Sequence, residues 1–169
     1  MKSRYRIRRA RHSDLETLVV LTEREAREAE GLELAVDRVR TGVRAGLEDP
    51  SKSTYWVAES TDGLVVASTS VVTEWSNFNG GYYWWIQSLF IVPEYRGRGL
   101  VELLLDNLTE AAREAQALDL RLYVHLSNQR AQNAYVRCGF ENVQYAVMKK
   151  DLGAPLRGGN SEKEHHGFK

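Results

Sequence analysis

The chain has 169 residues, a formal net charge of zero and one cysteine, Cys138. That length fits one domain with a single core, zero net charge removes bulk attraction to nucleic acid or an anionic membrane, and one cysteine excludes an internal disulfide or a cysteine-rich zinc site. No apolar run reaches membrane-spanning length and the first residues are basic and polar, so a soluble cytoplasmic protein with no metal, nucleic-acid or membrane partner is expected.

Alternation predicts a first strand over residues 5–9. Ser13-Asp14-Leu15-Glu16 reads as a capping box, followed by a helix whose buried face is Leu15, Leu18, Val19, Thr22, Ala26 and Ala29, ended by Gly31. Val36, Val39, Val43 and Leu47 trace a second helix that stops before Asp49-Pro50. Strands over 54–60 and 64–75 meet at Thr61-Asp62-Gly63, and a second turn, Asn77 to Gly81, leads into a strand over 82–92. Leu100, Leu104, Leu108, Ala111 and Ala115 give a third helix, and residues 119–126 alternate as a strand. Ser127 or Asn128 caps a fourth helix, with Gly139 at its end, and a last strand is expected over 143–149. The domain is set at residues 1–152, with a polar, mobile tail over 153–169.

Hairpin-joined strands followed by strand–helix–strand–helix–strand predict an α/β (α+β) fold with a mixed, mostly antiparallel sheet flanked by helices. Charge is segregated along it. Lys2, Arg4, Arg6, Arg8, Arg9 and Arg11 mark the first strand, and Glu16, Glu23, Glu25, Glu28, Glu30, Glu33 and Asp37 crowd the next segment. These are solvated faces, or the acidic segment is a rim that gathers cationic amines. The aromatic run Trp75, Phe78, Tyr82, Tyr83, Trp84 and Trp85 packs a hairpin, or cages an ammonium group.

The most informative stretch is Arg96-Gly97-Arg98-Gly99-Leu100-Val101, between an apolar strand and a helix. Free N–H groups at a helix start, the helix dipole and glycine's lack of a side chain together suit a pyrophosphate. A P-loop would need a Gly-Lys-Ser/Thr ending, and a dinucleotide fingerprint would need glycine where Glu102 stands. The simpler alternative is a tight connection with solvated arginines.

Strand, Pro93-Glu94-Tyr95-Arg96-Gly97-Arg98-Gly99, helix, strand, Asn128-x-x-Ala131-x-x-x-Tyr135 and Gly139-Phe140 in this order resemble the GNAT superfamily of acetyl-CoA-dependent N-acetyltransferases over residues 82–142. The stretch 85–135 is also similar, more weakly, to the diamine acetyltransferases.

The resemblance implies that strands four and five splay to admit acetyl-CoA as co-substrate. Main-chain groups of Leu89, Phe90 and Ile91 would pair with the pantetheine arm, and N–H groups of Gly97, Arg98, Gly99, Leu100, Val101 and Glu102 would hold the pyrophosphate. Arg96 and Arg98 add positive charge, and Asn128 joins this cofactor set. Val101 departs from the family's glycine or alanine, and its side chain is expected to point into the sheet. A homodimer is also implied.

Tyr135 occupies the family's proton-donor position, and a backbone N–H near Ile91 is the implied oxyanion donor; a core-packing tyrosine is the alternative. Some relatives carry glutamate where Gln87 stands, and a carboxamide cannot accept a proton at neutral pH. Glu74 is therefore the first candidate base, followed by His125 and Tyr83, with Gln87 and Tyr83 placed at the acceptor. The function expected is acetylation of a primary amine on a small molecule by direct attack in a ternary complex. Acetylation of protein N-termini or lysines, and a non-catalytic acyl-CoA-binding module, stay open.

Overall fold

In the computed structural model, residues 4–150 and 152 are described, and the tail expected over 153–169 lies outside them. Strands β1 (Tyr5–Arg9), β2 (Thr54–Ser60), β3 (Val65–Ser76) and β4 (Gly81–Ile91) pair antiparallel in chain order. Strand β5 (Leu120–Leu122) joins β4 in parallel, so the sheet reads β1-β2-β3-β4-β5. Alternation assigns the faces. Val57 packs with Leu18, Val19 and Val43 of helices α1 (Leu15–Glu30) and α2 (Val36–Glu48). Its neighbours Trp56 and Ala58 face the other way, toward α3 (Leu100–Glu114). Tyr135 of α4 (Gln129–Arg137) packs on that same side. Among the described residues no helix is long and apolar enough to cross a membrane.

Leu100, Leu104 and Leu108 are fully buried as their spacing predicts, joined by Leu105 and Ala112. Burial of each leucine stabilises the fold by about 1.5–3 kcal/mol, which fixes α3 across the sheet. Ala115 departs from the expected face: it is the exposed C-cap residue, where the helix is already ending.

Three expectations are corrected. Ser13 does not cap α1, because a 3-10 turn over His12–Asp14 precedes it and the Asp14 carboxylate reaches back to the Arg11 N–H at 2.6 Å. The fifth strand is three residues long, since its pairing to β4 ends at Ile86↔Leu122. Residues 143–149 form no strand: Val143, Tyr145 and Val147 alternate as a strand would but stand exposed, with no ladder partner among the described residues. Alternation supplies a face, and a strand also needs an edge to pair with.

Arg8 ties β1 to its neighbours. Its guanidinium pairs with Asp14 at 2.7 Å and Glu59 at 2.6 Å, with only 11% of the Arg8 side chain and 8% of Asp14 exposed. The Arg8 hydrogen bond holds the Asp14 carboxyl below its usual range, against the opposing effect of burial. A depressed carboxyl contributes stability above its unfolded value near pH 4, and that contribution is lost as pH falls through the folded value. Asp14→Asn should therefore cost about 2 kcal/mol in urea unfolding at pH 7, with the gap to the wild type narrowing below about pH 4. A gap that stays constant down to pH 2.5 would contradict the pairing.

Candidate active site

The site begins where a ladder stops. The β3–β4 register shifts between Ser70↔Ser88 and Val71↔Ile86, leaving Gln87 as a bulge residue. A bulge bends its strand and increases the local twist. Beyond it β4 runs on to Ile91, while β5 pairs only with Trp84, Trp85 and Ile86. The upper part of β4 thus has no strand on its outer edge among the described residues. The Val92 N–H donates to the Val66 carbonyl of the β3 side at 3.0 Å, so by alternation Leu89 and Ile91 turn their main-chain groups outward.

The glycine turn stands beside this edge. Gly97 (φ 72°) and Gly99 (φ 76°) lie in the left-handed region, and a β-carbon at either would meet open space. A non-glycine residue there would be strained by about 1–2 kcal/mol through its backbone alone. Among the described residues no acceptor is found for the main-chain N–H groups of residues 97–102, as expected where a turn runs into the first turn of a helix. Their free hydrogens and the α3 dipole are the features that binding an anion requires.

Both arginines of the turn have structural duties. Arg96 donates from Nε to the Ile91 carbonyl at 2.9 Å and pairs through Nη2 with Glu28 of α1, clamping the end of β4 to that helix. Arg98 donates to the Glu94 carbonyl at 2.8 Å and lies over the Tyr95 ring. They lend positive charge to the turn while holding its shape. Val101 packs against both apolar clusters beneath α3, so its side chain turns into the core.

Two side chains approach the parted strands from opposite faces. From α4, Tyr135 packs against the cluster that also takes Leu89 and Val101, with the Phe140 ring 5.8 Å away. Burial, with lesser effects of Glu25 and Cys138, pushes its phenol up to about 12. Tyr135 therefore keeps its proton at neutral pH and has a hydrogen to donate. From α1, the Glu25 carboxylate accepts the Leu89 N–H at 3.0 Å. Sequence reasoning set Glu25 among solvated charges. The available signal was its place seven residues after Leu18 and four after Leu21, on the helix stripe that faces the sheet.

The remaining expected residues divide. Gln87 sits at the bulge beside the opening, exposed. Asn128 caps α4, accepting the Ala131 N–H at 3.0 Å, and so positions the helix that carries Tyr135. His125 is exposed just beyond β5 and bonds Ser127 at 2.8 Å. Glu74 and Tyr83 are not brought to the opening. Glu74 lies five residues along β3 from Thr69, the partner of Leu89, which is about 16 Å of strand. It accepts from the Trp85 indole N–H, while Tyr83 lies under Arg121 at 3.3 Å and its hydroxyl is bonded by Asn79 at 2.7 Å. Hydrogen bonds from Ser76 and Asn79, with help from Arg121, hold the Tyr83 phenol below its usual range.

The acidic segment is substantially neutralised in place. Glu16 and Asp37 pair with Arg40, Glu33 with Arg27 and Glu28 with Arg96. Of the aromatic run, Trp84 is buried against Trp56, whereas Trp85 stacks on Tyr123 at 4.5 Å on the opposite face. A cavity of about 550 Å³ under the C-terminal half of α3 is lined by Arg9, Trp56, Trp84 and Glu114, away from the edge and the turn.

Comparison with known proteins follows the same outline. Residues 9–140 match the family model described as "Acetyltransferase (GNAT) family". No curated protein matches by sequence. A crystal structure of a possible acetyltransferase from Clostridium difficile 630 is similar, at 32% identity and a TM-score of 0.82, over 88% of this chain and 97% of the other. An aminoglycoside N-acetyltransferase in complex with CoA shares the fold at 14% identity and a TM-score of 0.74, over 88% and 95% of the two chains. So does a predicted acetyltransferase with acetyl-CoA from Clostridium acetobutylicum, at 20% identity and 0.70, over 89% and 99%.

Val101 is the testable departure in the turn. Since its side chain contributes to the core, Val101→Gly should lower stability by about 2 kcal/mol, combining lost burial with glycine's poor helix propensity. Urea unfolding checks this, and an unchanged midpoint would show that the side chain does not pack inward.

Proposed function

The chain belongs to the GNAT acetyltransferase family, and we propose that it moves the acetyl group of acetyl-CoA to a primary amine of a small molecule within one ternary complex. One observation carries this reading: among the described residues, an edge at Leu89–Ile91 with no strand beside it stands next to N–H groups at residues 97–102 for which no acceptor is found. The residues fit the ligand's chemistry. A pantetheine arm with two amides suits addition along a strand edge, and a diphosphate suits converging N–H groups at a helix start. Acetyl-CoA supplies the thioester; the amine nitrogen bonds to its carbonyl carbon as the carbon–sulfur bond breaks.

The barrier lies mostly at the amine. An alkylamine of pKa about 10.4 is neutral in roughly one molecule in 2,500 at pH 7, a deficit near 4.6 kcal/mol. Gln87, at the opening, cannot relieve it. Tyr135 acts at the other end of the reaction. A phenol near 12 would lose about 3.5 pKa units, roughly 4.8 kcal/mol, in full transfer to a thiolate whose conjugate acid has a pKa of about 8.5. Its role is therefore a hydrogen bond donated to the sulfur as charge develops, and not early surrender of its proton. A small acceptor has a precedent in this fold, in an aminoglycoside N-acetyltransferase.

Coenzyme A at a hundred times its Kd should stabilise the protein by about 2.7 kcal/mol and raise Tm, because only the folded chain binds it. No shift would contradict the binding site, and a shift without thiol release over an amine panel would favour a binding module. Tyr135→Phe should lower kcat about a hundredfold while leaving the acetyl-CoA Kd within about threefold. Because burial holds this phenol protonated far above neutrality, any fall in kcat between pH 7 and 10 should keep its position in the Phe variant. Equal losses in kcat and affinity would show that Tyr135 only packs.

A further inference from the structure

The unfilled role is the group that takes the amine's proton, and the geometry around β4 supplies one. Glu25 lies on the stripe of α1 that faces the sheet, in line with Leu18 and Leu21, both almost fully buried. A carboxylate on such a stripe is costly unless it is hydrogen-bonded. It is bonded by the Leu89 N–H at 3.0 Å, on the outward edge of β4. Glu25 is placed so that its charge is felt by Tyr135 across the opening. The two faces of the sheet thus present a carboxylate and a phenol to one gap.

We propose that Glu25 receives the acceptor amine's proton, and that the Leu89 N–H holds its carboxylate at the open edge until a pantetheine or thioester carbonyl takes that N–H. The role rests on the acetyltransferase reading above. On arrival the acceptor is an ammonium ion, which a carboxylate can hold by charge-assisted hydrogen bonds. That ion has no lone pair to offer, so one proton must leave before its nitrogen can bond to carbon. It passes to Glu25 directly or through one water, a transfer uphill by about six pKa units for ordinary amine and glutamate values, and Glu25 releases it to solvent. The neutral amine then attacks the thioester carbonyl carbon. Its next N–H proton becomes acidic as the nitrogen–carbon bond forms and leaves with the departing thiolate, giving the amide and the free thiol. The substrate class implied is a cationic, freely basic amine.

The test compares two acceptors, an alkylamine and a fluorinated amine already neutral at the assay pH. Glu25→Gln should lower kcat/KM about a hundredfold for the alkylamine and less than about threefold for the fluorinated amine. Glu25→Asp, which keeps the charge on a shorter arm, should recover part of the alkylamine rate. Equal losses for both amines, or no loss for either, would overturn the proposal. Binding gives a readout independent of turnover: by calorimetry, Glu25→Ala should bind coenzyme A as tightly as the wild type or more so, since no carboxylate need be displaced. A tenfold weakening would place Glu25 in the cofactor site and overturn the exchange at Leu89. If the wild type binds coenzyme A but acetylates no amine, the acetyltransferase reading fails first and this role falls with it. Thermal midpoints establish that each variant is folded.

Discussion

An unfinished ladder organises this molecule. Past Ile86, β4 keeps β3 on one side and, among the described residues, has no strand on the other. Backbone amides do not stay unpaired in a protein interior without cost, so this edge must meet water, a side chain or a ligand. The structure shows side chains there: Glu25 on the Leu89 N–H and Arg96 on the Ile91 carbonyl. Both residues are tied to α1, Glu25 by position and Arg96 through Glu28. One helix therefore tends the whole open edge, and its own seat is secured by Leu18 and Val19 packing with Val43 and Val57.

The chemistry of the site follows from opposed faces. The bulge at Gln87 restores Leu89 and Ile91 to the α3 side after Trp84 and Ile86, and α3 starts from a turn whose left-handed glycines leave the N–H groups exposed. The fourth helix brings a phenol in from the α3 side, and the first helix brings a carboxylate in from the other. Burial keeps the phenol protonated, because its ionised form would be poorly solvated there. In the reaction proposed, the magnitudes divide the labour: a difficult amine deprotonation, and a thiolate that leaves with modest help.

Much of this was legible in the sequence. The glycines at 97 and 99 and the leucines at 100, 104 and 108 carry local signals, a required backbone conformation and a helical period, and the structure uses both as expected. What stayed illegible was tertiary. Glu25 looks like its acidic neighbours, and only the packing of α1 against β4 shows that its place on the stripe meets an unpaired amide. Glu74 looked available as a base because sequence does not show how far down β3 it falls from the opening. Residues 143–149 have a strand's alternation, but an alternating pattern cannot reveal whether an edge is offered to it.

The central claim is that the edge at Leu89–Ile91 and the amides of residues 97–102 together receive a coenzyme A thioester. Hydrogen exchange with and without coenzyme A addresses these amides one segment at a time. The ligand should slow exchange most in those two segments. Slowing confined to another place, such as the Arg9 and Trp56 cavity under α3, would contradict it.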